Sequence, residues 1–179
     1  MRCFIAIDLP GEIKDYLFNL QKEFDNNLIK VKWVAKKNLH LTLKFLGEVD
    51  EKTLEEVKRK LKGIKIKKFL LKLEEVGLFP DENYVRVIWI GLKPDENIIK
   101  LQKLIDSELL DLFKGEQEFK AHLTLGRAKF VKDKEGFKAL FKKIKIKDLE
   151  FKVDSFKLMK STLTKDGPIY DVLELYTLD

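Results

Sequence analysis

The tetrapeptide His-Leu-Thr-Leu occurs twice in this 179-residue chain, at His40–Leu43 and at His122–Leu125. The chain contains only two histidines, so both stand in the same four-residue context. For a given tetrapeptide at uniform residue usage, a chance second copy has a probability on the order of one in a thousand, and the scarcity of His lowers it further. Internal duplication, or convergence on one geometry, is the better account. Each copy lies midway through its half and follows a predicted helix. The repeat therefore predicts two related lobes facing one another, within a single bilobal domain spanning residues 1–179.

Around the repeats the hydrophobic pattern switches between strand and helix periods. Arg2 to Asp8 reads as a buried strand, and Pro10 and Gly11 open an amphipathic helix with Ile13, Leu17, Leu20 and Phe24 on one face. Val31 to Val34 and Leu39 to Leu46 read as extended, and Glu51 to Leu61 as a helix with Leu54, Val57 and Leu61 inward. Strands are predicted at Phe69 to Leu78 and Tyr84 to Ile90, then a helix over Asp95 to Phe113. Ala121 to Phe130 is extended, Lys134 to Ile144 helical, and Leu149 to Met159 and Ile169 to Leu178 extended. This mixed order, without strict βαβα alternation, predicts an α+β fold with largely antiparallel sheets around a central cleft.

Composition removes several function classes. A lone Cys3 cannot make a disulfide framework within the chain, and beside two His it cannot complete a zinc finger, so it reads as a buried structural thiol. No apolar run approaches the ~20 residues of a membrane span, and Asp8 interrupts the first strand too early for a signal peptide. A soluble, cytoplasmic protein is expected, with no membrane partner. Charged residues make up 37% of the chain, above the usual ~25%. The excess is Lys and Glu, a composition common in proteins from hot environments. The net charge of +6 permits a polyanionic partner without requiring one. The basic run Lys58 to Lys68 reads as a solvated helix end and loop. There is no glycine-rich phosphate loop, and Lys165-Asp166-Gly167 reads as a turn, lacking the residue that separates Lys from Asp in the lysine motif of ATP-dependent nucleotidyl transferases.

In a strand, residues i and i+2 share a face. His40 and Thr42 then point one way and Leu39, Leu41, Leu43 and Phe45 the other, while His122 and Thr124 oppose Ala121, Leu123 and Leu125. Related lobes would bring two imidazoles and two hydroxyls to one cleft. Imidazole titrates near neutrality and serves as base or acid, so a pair of them suits one proton leaving a nucleophile as another reaches a leaving group. Thr hydroxyls donate to phosphoryl oxygens without adding charge. The matching substrate is a phosphodiester undergoing in-line displacement. Gly126 is expected to admit a ligand close to the backbone, with Lys44 and Arg127 supplying positive charge. A metal held by both His would need a carboxylate, and neither motif carries Asp or Glu on its polar face.

The doubled His-x-Thr-Leu pattern resembles the 2H phosphoesterase superfamily, and within it the RNA 2′,3′-cyclic phosphodiesterases also called 2′-5′ RNA ligases (the LigT/ThpR group). The resemblance extends through Arg2 to Ile7, Val31 to Val34 leading into Asn38 to Val49, Arg86 to Gly91, His122 to Arg127, and Gly167 to Tyr170. It implies a bilobal, pseudo-twofold fold and hydrolysis of nucleoside 2′,3′-cyclic phosphate ends to 2′-phosphates, with no metal and no cofactor. By resemblance His40 is the acid and His122 the base, while Thr42, Thr124 and Arg127 hold the phosphate. Phe4, Phe45 and Tyr170 are the stacking candidates, although strict alternation turns Phe45 away from the imidazole. The expected partner is RNA, or a nucleotide, with a cyclic phosphate end; nothing demands an oligomer, so a monomer is expected. Two other readings stay open: a nucleotide- or RNA-binding module using the same cleft without turnover, and a ligase of RNA halves.

Overall fold

The computed structural model describes residues 1–179 throughout. The first half runs β1 (Arg2–Asp8), α1 (Gly11–Gln21), β2 (Ile29–Trp33), a 3₁₀ turn at Lys36–Asn38, β3 (His40–Glu48), α2 (Glu51–Leu61) and β4 (Phe69–Asp81). The second half runs β5 (Tyr84–Lys93), α3 (Glu96–Glu108), β6 (His122–Val131), α4 (Lys134–Lys143), β7 (Glu150–Val153), β8 (Ser155–Thr164) and β9 (Gly167–Thr177). The expected α+β class is found, and every strand pairing is antiparallel.

The strands form two sheets, ordered β3-β1-β8-β9 and β2-β6-β5-β4-β7. The segments β3-β1-β8 and β6-β5-β4 are counterparts: a motif strand, the first strand of its half, and a strand borrowed from the other half. The two lobes are thus repeated and interlocked. A sequence reading of Leu149 to Met159 as one strand misses the crossing between them. The chain changes sheet at the exposed Asp154, with β7 pairing to β4 and β8 pairing to β1. The inward phase shifts there, from Phe151 and Val153 to Phe156 and Leu158 across the polar pair Asp154-Ser155, and that shift is the only mark of the crossing in the periodicity.

The helices form where the sequence places them, for local reasons. Asp50 caps α2 by accepting from the Thr53 amide at 2.8 Å, and Asp133 caps α4 by accepting from the Gly136 amide at 2.9 Å. Leu54, Val57 and Leu61 are buried at helical spacing. One apolar cluster of 41 buried residues runs through both halves, including Leu41 and Leu43 of β3 and Leu123 and Leu125 of β6. The helices contribute Ile13, Leu17, Leu54, Val57, Ile98 and Leu101 to it, whereas His40, Thr42, His122 and Thr124 lie outside it.

Both motif strands break the simple pleat at the same point. In β3 the register against β1 passes from Ala6↔Thr42 to Ile5↔Lys44, leaving Leu43 as an extra residue. In β6 the register against β5 passes from Trp89↔Thr124 to Ile88↔Gly126, leaving Leu125 as the extra residue. A bulge puts two consecutive residues on one side and reverses the alternation beyond it. Leu43 and Lys44 are accordingly both buried, as are Leu125 and Gly126, while Phe45 and Arg127 emerge on the histidine side.

This corrects the role expected of Gly126. It faces the packed side, where a Cβ would lie 2.6 Å from Val31 and 2.7 Å from Trp33. The glycine accommodates the side chains of β2, not a ligand. Gly126→Ala is expected to destabilise the fold by about 1–3 kcal/mol through overpacking. Denaturant unfolding measures this, and an unchanged midpoint would show that the β2–β6 junction is looser than described.

Candidate active site

The 3₁₀ turn Lys36–Asn38 delivers His40 to the start of β3 with its ring fixed from behind. His40 Nδ1 lies 2.6 Å from the Asn38 carbonyl, which can only accept, so Nδ1 carries the hydrogen. Nε2 then holds the lone pair of the neutral ring, and the Thr42 hydroxyl donates to it at 2.8 Å. His122 is held the same way, its Nδ1 donating to the Lys120 carbonyl at 2.6 Å. Both rings therefore turn the same nitrogen toward the cleft. The Thr42 contact has no counterpart between His122 and Thr124.

Different walls surround the two rings. His40 packs against Phe4 at 5.1 Å and edge-on against Tyr170 at 5.4 Å between ring centroids, and Phe4 meets Tyr170 at 4.9 Å. These three rings line a cavity together with Asp8, Lys157 and Met159. His122 stands edge-on to Phe79 at 5.2 Å, and Phe79 stacks on Trp89 at 4.8 Å. The Trp89 indole lies directly over Gly77, where a Cβ would be 2.1 Å from the ring, and the Lys120 ammonium is 4.2 Å above the indole.

Burial pushes both imidazoles below their ordinary pKa, but their charged neighbours differ. At His40 the depression is opposed by the Asn38 carbonyl and by the Asp8 carboxylate, with Lys14 acting the other way. At His122 it is opposed by the Lys120 carbonyl and reinforced by the positive charges of Lys120 and Arg127. Asp8 stays ionised: burial alone would raise its pKa, yet Lys14 and Lys157, each at 2.8 Å, hold it below the usual carboxylate value. A negative charge thus attends His40 and positive charges attend His122.

The two motif strands, β3 and β6, lie next to each other at the junction of the sheets, in contact without pairing. The charge of Arg127, beyond the bulge of β6, acts both on His122 and on Tyr170, which rests against His40. Of the residues singled out in the sequence, His40, Thr42, His122, Thr124, Arg127, Phe4 and Tyr170 are brought to this face. Phe45 joins them because of the bulge, 67% exposed with its ring 6.2 Å from Phe4.

Lys44 does not join them. It is 2% exposed and points to the packed side, where its ammonium pairs with Asp106 of α3 and donates to the Lys114 carbonyl at 2.8 Å. The same bulge that exposes Phe45 buries Lys44. Exposed Arg86, further out on β5, is occupied with Tyr84, donating to its hydroxyl at 2.8 Å. Asp8, Asn38, Phe79, Trp89, Lys120 and Lys157 complete the surroundings and escape a sequence reading, because only strand register places them beside the motifs. No group of three or more His, Cys, Asp or Glu side chains is arranged to hold a metal ion. No helix is long and apolar enough to cross a membrane.

The family model described as LigT like Phosphoesterase matches residues 7–89 and again residues 90–170. An RNA 2′,3′-cyclic phosphodiesterase of Methanocaldococcus jannaschii is 45% identical over 97% of this chain and 99% of its own length. The protein of that name from Thermotoga maritima is 36% identical over 97% of this chain and 93% of its own. Among solved structures, E. coli LigT complexed with 3′-AMP superposes with a TM-score of 0.81 at 27% identity, covering 99% of this chain and 97% of that one.

Burial of Lys44 yields a sharp test. Lys44→Ala strands the Asp106 carboxylate, so a loss of about 2–4 kcal/mol in unfolding free energy is expected, with KM in the folded fraction changed less than about threefold. A phosphate-binding surface lysine would show the reverse: stability retained and KM raised.

Proposed function

The chain belongs to the LigT-like phosphoesterase family, and on that footing we propose that it hydrolyses RNA or nucleoside 2′,3′-cyclic phosphate ends to 2′-phosphates by two-histidine acid/base catalysis. The observation that carries this reading is the matched pair of imidazoles, each pinned at Nδ1 by a carbonyl and each presenting Nε2. Pure binding requires no such pairing. The relatives' shared name points to the same substrate class.

In the proposed step, His122 Nε2 removes a proton from water as the water oxygen attacks phosphorus. The P–O3′ bond breaks on the opposite side, and O3′ takes the proton carried by His40 Nε2. The product has a 2′-phosphate and a free 3′-hydroxyl. The surrounding charges support this division of roles. Asp8 favours the protonated form of His40, whereas Lys120 and Arg127 favour neutral His122. Thr42 and Thr124 donate to the non-bridging oxygens, and Arg127 neutralises charge on the phosphoryl group. Phe4, Tyr170 and Phe45 wall the His40 end, where the ribose and base of the leaving oxygen would stack. Transfer of the Thr42 hydroxyl from His40 Nε2 to a phosphoryl oxygen frees that nitrogen for its proton.

With an RNA 5′-hydroxyl in place of water as the attacking group, the same step forms a 2′-5′ linkage and frees the 3′-hydroxyl. Hydrolysis prevails because water is present at ~55 M and needs no alignment of a second RNA end. The continuous core supports both lobes acting as one domain, and both histidines and both threonines coming from one chain support a monomer.

The test is turnover of a nucleoside 2′,3′-cyclic phosphate in the presence of a chelator. His40→Ala and His122→Ala are each expected to lower kcat/KM by at least about 100-fold, with wild-type activity surviving chelation. Near-wild-type turnover by either variant, or loss of wild-type activity on chelation, would contradict the mechanism. Tight nucleotide binding with no turnover would instead leave a binding module.

The pH dependence follows from the same roles. Activity rises with pH as His122 loses its proton and falls as His40 loses its own. Both pKa values lie below the ordinary ~6.5 in the free protein, so kcat/KM should be bell-shaped with its maximum below about pH 6.5. Bound phosphate stabilises the imidazolium, so the limbs of kcat should lie at higher pH than those of kcat/KM. A kcat/KM plateau extending above pH 8 would assign the chemistry to other groups.

A further inference from the structure

The histidine face of β6 does not end at Arg127. Opposite strand partners share a side, and Arg127 pairs with Lys32 of β2, while Lys30 pairs with Phe130. Their other neighbours confirm the orientation, since Ile29, Val31 and Gly126 on the reverse side are buried. A second irregularity, at the extra residue Lys129, leaves both Lys129 and Phe130 exposed. The outer face of β2 and β6 is therefore a strip of Arg127, Lys32, Lys30 and Lys129 around a Phe130 ring that is 56% exposed.

Two features suit this strip to a polyanion. None of its four cations forms an ion pair, which holds for most of the chain's 36 Lys and Arg, so their charge is uncompensated at short range. It is also continuous with the cleft, beginning at Arg127, whose charge reaches the Tyr170 that packs on His40. A cationic track with an exposed aromatic ring is the arrangement that binds single-stranded nucleic acid without regard to sequence: phosphates meet the cations and a base stacks on the ring.

We propose that the outer face of β2 and β6 is a subsite for the RNA strand on the 5′ side of the cyclic phosphate. The terminal nucleoside occupies the Phe4–Tyr170 end of the cleft, and the chain leaves past Arg127, with phosphates on Lys32, Lys30 and Lys129 and a base on Phe130. From Arg127 to Phe130 the strand extends about 10 Å at ~3.4 Å per residue, room for about one or two nucleotides. The pseudo-twofold counterpart of Arg127 is the aromatic Phe45, so the other sheet offers no matching cationic exit at this point. The strip thereby gives a near-symmetric catalytic centre a direction for its substrate.

This inference rests on the cyclic phosphodiesterase reading, and one experiment separates the two. Wild type, the triple variant Lys30→Ala/Lys32→Ala/Lys129→Ala, and Phe130→Ala are assayed on a nucleoside 2′,3′-cyclic phosphate and on a four-nucleotide RNA ending in one. For the oligonucleotide, the triple variant should raise KM about tenfold or more and reduce the salt dependence of log(kcat/KM) by about 1 in slope, ~0.7 for each of about one or two lost phosphate contacts. Phe130→Ala should raise the oligonucleotide KM at least about fivefold. Mononucleotide kinetics should stay within about twofold of wild type in both variants. An oligonucleotide KM unchanged by the variants, or changed equally for both substrates, overturns the subsite while leaving the phosphodiesterase reading intact. Absence of wild-type turnover on either substrate overturns that reading itself; binding of the corresponding 2′-phosphate oligonucleotide to wild type and triple variant then still decides the strip, with equal affinities refuting it.

Discussion

One extra residue in each motif strand governs the rest of this structure. Without the bulges at Leu43 and Leu125, strict alternation would turn Lys44 and Gly126 toward the cleft and bury Phe45 and Arg127. With them, the next outward side chain after His and Thr is an aromatic ring in one lobe and a guanidinium in the other. Each bulge is braced from beneath by a helix of the other half. Gln21, at the end of α1, donates from Nε2 to the carbonyl of bulged Leu125 at 3.0 Å and to the Val34 carbonyl at 2.9 Å. Asp106, in the last turn of α3, takes the ammonium of Lys44 beside the bulge in β3. Burying that lysine costs several kcal/mol of desolvation, offset by Asp106 and the Lys114 carbonyl.

This division of labour explains how a repeated motif serves an asymmetric reaction. What the lobes share, an imidazole pinned at Nδ1 and a hydroxyl two residues on, suits chemistry that must work from both sides of one phosphorus atom. What they do not share supplies direction. Burial lowers the pKa of both rings, but the Asp8 carboxylate opposes this at His40 while Lys120 and Arg127 reinforce it at His122, so the charged neighbours of identical side chains act in opposite senses. The aromatic wall of Phe4 and Tyr170 lies at one ring, the Phe79–Trp89 stack at the other. Swapped strands and swapped helix braces make each half complete the other's site, so the lobes cannot drift apart without unfolding both.

Much of this was legible in the sequence. The tetrapeptide repeat identifies both histidines and both threonines as candidates, and the hydrophobic periods locate all four helices and most strands to within a few residues. What failed within the motif strands had one physical origin. Periodicity assumes an unbroken pleat, and a bulge leaves no mark in it, because Leu43-Lys44 and Leu125-Gly126 read as ordinary strand. An unbroken pleat therefore places Lys44 and Gly126 beside a ligand and Phe45 in the core, the reverse of what the bulges produce. The crossing at Asp154 differs: the polar pair Asp154-Ser155 shifts the inward phase, but so short a break does not specify which strand each side pairs with. Asp8, Trp89 and Phe79 could not be found because their relevance lies in cross-strand register, which a single sequence does not encode locally.

One phosphate is expected to engage both histidines, and the scarcity of His makes this directly measurable. With only two imidazoles in the chain, a ¹⁵N-labelled sample gives a histidine spectrum of two rings. Titration with a nucleoside 2′-phosphate at constant pH should shift the Nε2 resonances of His40 and His122 along a single binding curve, with Nδ1 of both rings remaining protonated. Movement of one ring alone, or two curves with different dissociation constants, would show that the histidines do not share a phosphate and would contradict the account.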